Sequence, residues 1–267
     1  MTVNANPLPP SALERALSHD RRSIAIALAA LVLVAWGYLL VLSRQMSDMS
    51  SVASMPGMHD MATGSAQSFA LTVLMWWTMM IGMMMPSAAP MILLFGSVQR
   101  RQLAAESPTL RVALFSAGYL ATWGAFSVLA AAAQVELTRL ALLAPMNLTV
   151  TTRVGALFVA LAGVYQLTPL KDVCLRRCRS PAEFLSGHWR PGNAGALRMG
   201  VDHGAYCVGC CWLLMGLLFV VGVMNLLWVA AIAAFVLSEK LLPHGETTAK
   251  ASGLVLLLLA AYLVFIA

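Results

Sequence analysis

The sequence predicts an all-α fold, a polytopic transmembrane bundle of about seven helices. Three observations predict it. Of 267 residues, 60% are hydrophobic and only 10% are charged, against about 25% charged in a soluble domain. Long uncharged apolar runs recur along the chain, close to the ~20 residues that cross a bilayer. The basic residues divide unevenly between the connecting segments, as the positive-inside rule requires. Alternating ten-residue barrel strands are not seen. The net charge of +6 is spread by side rather than gathered into a patch, so nucleic acid is not an expected partner; the lipid bilayer is.

Taken in order, residues 1–23 are polar, with Pro7, Pro9 and Pro10, and form a cytoplasmic segment. Residues 24–267 form the transmembrane domain. Residues 24–42 are a first span rather than a cleaved signal, because the polar leader is long and no small-x-small site closes the run. Residues 43–67 are a Met-rich outer loop, and the second span follows at 69–98. The third span covers 112–134, and residues 135–152 read as an interfacial amphipathic helix on the outer side. The fourth covers 154–170, followed by a basic, Cys-containing inner loop at 171–199. The apolar stretch 200–238 is too long for one span and divides at Gly222 into 204–221 and 223–238. Residues 253–267 are the last span. With the N-terminus inside and the C-terminus outside, only Arg44, Arg139 and Arg153 of the 17 basic residues lie outside. Lys171 and Lys240 count here as inner-surface charges.

The chain is organised around MWWTMMIGMMMPSAAPM, residues 75–91, which holds seven of the 17 methionines. Five more lie in the loop before it: Met46, Met49, Met55, Met58 and Met61, interleaved with His59, Asp48 and Asp60. Thioethers bind soft cations such as Cu(I) without competition from protons. The plainer reading of the loop is a polar linker, and of the helix a core filled by flexible methionines. At 100° per residue Met75, Met79 and Met83 form one stripe; Met80, Met84 and Met91 form another on roughly the opposite side. One ion cannot meet both. Pro86 and Pro90 should kink this helix and free backbone carbonyls.

A second constellation is Asp202-His203-Gly-Ala-Tyr206-Cys207-Val-Gly-Cys210-Cys211-Trp. His203, Cys207 and Cys210 fall at i, i+4 and i+7, within about 60° of one helix face, flanked by Cys211 and Tyr206. Imidazole and thiolate together suit Cu(I), with Zn(II) as the alternative. An intramembrane His beside an Asp marks a functional site by default; the plainer readings are helix packing or acylation. Cys174 and Cys178, among arginines, form a Cys-x3-Cys pair that either passes a soft metal or is incidental. Asn225 and Glu239 share a face of the sixth span. Glu239 is expected to pair with Lys240, or to sit beside Asp202 and His203. Phosphate loops, Ser-His-Asp arrangements and nucleotide fingerprints are not found.

The runs MMIGMMMPSAAPMILLF and DHGAYCVGCCWLLMGLLFVVGVMN, followed by SEK, resemble an uncharacterised prokaryotic family of predicted metal-binding integral membrane proteins. The resemblance runs from about residue 69 onward, through Met83–Met85, Pro86, Pro90, Met91, His203, Cys207, Cys210, Cys211, Trp212, Met224, Asn225, Glu239 and Lys240. It implies metal binding in a multi-pass protein of the cytoplasmic (inner) membrane. The leading expectation is Cu(I) handling. Met58, His59 and Met61 capture the ion, Met79, Met83 and Met84 relay it, and His203, Cys207, Cys210 and Cys211 hold it. Asp202, Tyr206, Asn225, Glu239, Cys174 and Cys178 support them. A copper chaperone or a membrane cuproenzyme is the expected partner. The rival expectations are an oxidoreductase-like membrane metalloenzyme, with Asp202, Tyr206 or Glu239 handling protons, and an assembly partner that binds no metal.

Overall fold

A computed structural model describes residues 12–52, 66–101, 108–144 and 149–266, and almost all of them are helical. In chain order come α1 (Ala12–Val52), α2 (Ala66–Arg101), α3 (Pro108–Arg139), the short strands β1 (Leu143–Ala144) and β2 (Thr149–Val150), then α4 (Thr152–Gln166) and α5 (Pro169–Arg179). They are followed by α6 (Pro181–His188), α7 (Gly192–Gly216), the single turn α8 (Leu218–Val221), α9 (Leu226–Leu241) and α10 (Gly245–Ile266). Met46 and Met49 of the Met-rich loop have no described side chains, and Met55, Met58, His59 and Met61 lie outside the described residues altogether.

Among the described residues, five helical segments are long and apolar enough to cross a membrane: Arg21–Gln45, Ser68–Arg100, Pro108–Arg139, Gly192–Val221 and Gly245–Phe265. The pair α4 and α5 qualifies as a sixth, bent by 68°. α9 has 16 residues, so it reaches about 24 Å, short of the ~30 Å hydrocarbon core. The helices do break at Gly222, whose φ of 97° is one that glycine tolerates, but only the segment before it is long enough to count as a span.

Two expectations are corrected. The 135–152 segment is not an amphipathic helix. α3 continues to Arg139, Ala141 takes a φ of 52°, and β1 pairs antiparallel with β2, Leu143 opposite Val150. Residues 171–199 are not a loop but α5, α6 and the first turns of α7. Pro169 and Pro181 stand in the first turns of α5 and α6, where a missing N–H costs nothing, and the Thr168 side chain accepts from the Lys171 amide.

α2 sits at the centre, packed on α1, α3, α6 and α9. Both of its Met stripes are therefore buried: Met75, Met79, Met80, Met83, Met84, Met85 and Met91 all belong to the core. The Pro86 ring leaves the Gly82 carbonyl without its helical donor, and Trp36 Nε1 of α1 donates to that oxygen at 3.2 Å. α3 and α7 touch backbone to backbone. A Cβ on Gly200 would strike the Phe115 carbonyl oxygen, and one on Gly118 the Leu197 carbonyl oxygen; small residues permit such approaches between apolar helices. α1 and α10 flank the bundle, with only 11% and 17% of their apolar windows buried. Leu33, Val34, Leu258 and Phe265 point outward. A continuous apolar exterior of this kind is disfavoured in water.

Candidate functional site

The site is assembled where α7 crosses α2, α3, α5 and α9. α7 brings Cys207, Cys210 and Cys211 into the core, each 1% exposed. α5 lies beside α7 and adds Cys178, whose Sγ is 4.0 Å from Cys210 Sγ. α2 adds Met84, whose Sδ is 3.9 Å from Cys211 Sγ. All five cysteines of the chain are free thiols.

The surroundings of this sulfur cluster are polar where the cysteines need it. Tyr119 of α3 shares a 3.1 Å hydrogen bond with Cys207 Sγ, and its hydroxyl is also 3.1 Å from the Met84 carbonyl. Lys240 of α9 donates to Cys207 Sγ at 2.9 Å and to Ser87 Oγ at 3.1 Å. Behind it lies a second buried group. Lys171 Nζ meets Glu239 Oε2 at 2.7 Å, and Gln166 Nε2 donates to Glu239 Oε1 and to Ser252 Oγ, both at 2.9 Å.

The donors are the soft kind. A metal–thiolate bond of about 2.3 Å places two sulfurs about 4.0 Å apart at 120°, and the Cys178–Cys210 pair stands at 4.0 Å. Closure is incomplete, because among the described residues no three His, Cys, Asp or Glu side chains converge as a metal site. The reason is visible: Cys210 and Cys211 are turned onto the Cys207 carbonyl, at 3.1 and 2.9 Å. Rotation of these two thiols about χ1 would redirect them.

The expected residues fall into three groups. Cys178, Cys207, Cys210, Cys211 and Met84 come together. His203 is buried one turn from Cys207, in aromatic surroundings, with Nδ1 lacking a hydrogen-bond partner among the described residues. Met79 and Met83 are buried along α2, and Cys174 is partly buried against Gly209. The remainder lie elsewhere. Asp202 faces Arg190 at 3.6 Å; Tyr206 is partly buried, edge-on to Phe184 and His188; Asn225 is exposed at the start of α9.

Glu239 neither pairs with Lys240 nor approaches Asp202 and His203. Successive residues on a helix point about 100° apart, so Glu239 faces α4 and α5 while Lys240 faces the thiols. Lys171 and Lys240 are accordingly buried, at 0% and 6% exposure, and are not inner-surface charges. Lys240 has a visible sequence signal, a lysine closing an apolar run beside an acid. Lys171, Gln166 and Tyr119 have none that is local.

Residues 73–263, which include the whole cluster, match the model of a family described as PpoB2, copper chaperone. No curated protein and no solved structure matches the chain.

Proposed function

Because the chain belongs to the PpoB2 copper chaperone family, we propose that it is a membrane-embedded carrier of Cu(I) whose cargo rests on Cys178, Cys207, Cys210 and Cys211, with Met84 beside them. One observation supports this reading above the others: four thiols from two helices gather beside a thioether in the interior of the bundle. Soft donors of this kind select Cu(I) among available ions. Zn(II), the alternative, has no support beyond the donor types.

Charge balance supports it too. A buried site cannot hold an uncompensated charge without a large cost. Two thiolates around Cu(I) carry a net charge of −1, and the ammonium of Lys240 restores neutrality. The buried methionines of α2, Met75 through Met83, form a thioether approach to Met84, along which no proton need be released or taken up. Capture by Met58, His59 and Met61 belongs to the same reading and rests on the sequence alone.

The apolar exterior and the long helices support insertion in a bilayer, and the distribution of basic residues supports an N-in, C-out orientation in a prokaryotic inner membrane. The recipient is a cuproenzyme or a second copper carrier. The test is elemental mass spectrometry of detergent-purified protein loaded anaerobically with Cu(I). Wild type retains near-stoichiometric copper and Cys207→Ser/Cys210→Ser loses it. Equal retention in both proteins would overturn the assignment of the site.

A further inference from the structure

The site has two sides. Toward one end of α7 it is approached by the methionines of α2. Toward the other, the first group met is His203, one helical turn from Cys207, or about 6 Å along the axis. This imidazole is 2% exposed, and its Nδ1 is buried without a hydrogen-bond partner among the described residues. A buried, unpaired ring nitrogen costs stability and leaves a donor or acceptor free for a ligand.

The rings around it are aromatic. Phe115 and Tyr119 lie at 6.1 and 5.8 Å from it. Phe184 of α6, itself fully buried, stands edge-on to His203 at 5.2 Å. On its other side Phe184 stacks on His188 at 4.7 Å, with rings within 7° of parallel. His188 is only partly buried, and its Nδ1 lies 3.2 Å from the Phe184 carbonyl. The order from the interior outward is therefore thiol cluster, His203, Phe184, His188.

We infer that this row is the exit route of the site: Cu(I) leaves the thiolates for His203, and Phe184 is the gate between His203 and His188. Neutral imidazole is a borderline-soft ligand, weaker for Cu(I) than a thiolate pair, which suits a transit station better than a store. The ion keeps its oxidation state throughout and only exchanges ligands. Phe184 stands between the two imidazoles, on the short helix α6 bounded by Pro181 and Trp189, and its displacement is the opening step.

The inference rests on the copper reading above, and the experiment separates the two. Detergent-purified wild type, His203→Gln, His188→Gln and Phe184→Ala are each loaded with one equivalent of Cu(I). Transfer to a chromogenic Cu(I) chelator is followed by stopped flow and normalised to bound copper. His203→Gln and His188→Gln are expected to release at least about tenfold more slowly, some 1.4 kcal/mol in barrier, and Phe184→Ala faster than wild type. Circular dichroism identifies any variant that fails to fold, and the remaining variants then carry the test. Wild type that retains no Cu(I) overturns the copper site itself. Wild type that retains copper, with all folded variants releasing at its rate, overturns the route alone and leaves His203 as aromatic packing.

Discussion

The Lys171–Glu239 pair offers the sharpest test of how the bundle holds its site. Their side chains are 0% and 1% exposed, with 2.7 Å between Nζ and Oε2. At an effective dielectric of about 20 the attraction at that separation is about 6 kcal/mol, most of it offset by the desolvation of two ions. Removing one partner leaves the other buried and uncompensated, a cost of about 3–5 kcal/mol. We expect Glu239→Gln and Lys171→Met each to lower stability by that amount. The double variant should recover much of it, with a coupling energy of at least about 2 kcal/mol. Thermal or denaturant unfolding of the detergent-purified protein, followed by circular dichroism, measures all four corners of the cycle. Because α5 carries Cys178 and α9 carries Lys240, copper retention should fall in the single variants and return in the double. Single variants that each cost under about 1 kcal/mol, or a strictly additive double, would refute the reasoning.

Three further outcomes are expected. Gly200→Ala should destabilise the protein by about 1–3 kcal/mol, read as a fall in melting temperature, because its Cβ would meet the Phe115 carbonyl oxygen. Trp36→Phe should cost about 1 kcal/mol in the same assay, since the Gly82 oxygen beside Pro86 then loses its 3.2 Å donor. Cys178→Ser should impair copper retention nearly as much as Cys207→Ser, and Cys174→Ser much less, because only Cys178 of that pair reaches the Cys210 thiol, at 4.0 Å; elemental mass spectrometry compares them.

Part of this protein is determined by its sequence alone. Composition and long apolar runs dictate helices, because an apolar environment demands that each backbone group be satisfied within its own segment. Local periodicity alone puts Cys207 and Cys210 on one face of α7, and Gly222 marks the break after it. The Met-rich run is recognisable as the central element, although its two opposed stripes become meaningful only when α2 proves to be surrounded. Where a local rule overruled the broad pattern, as at Pro169 and Pro181, the boundaries shifted.

Only the tertiary structure decides the rest. Which thiol of the Cys-x3-Cys pair joins α7 depends on the 68° bend between α4 and α5, and hydropathy carries no angle. Glu239 and Lys240 are neighbours in the chain, yet one helical step sends them to different partners, Lys171 and Cys207. Their roles depend on which helix covers each face. A side chain's own turn of helix is written in its near neighbours, whereas the chemistry of this site comes from α2, α3, α5, α7 and α9 meeting at one place.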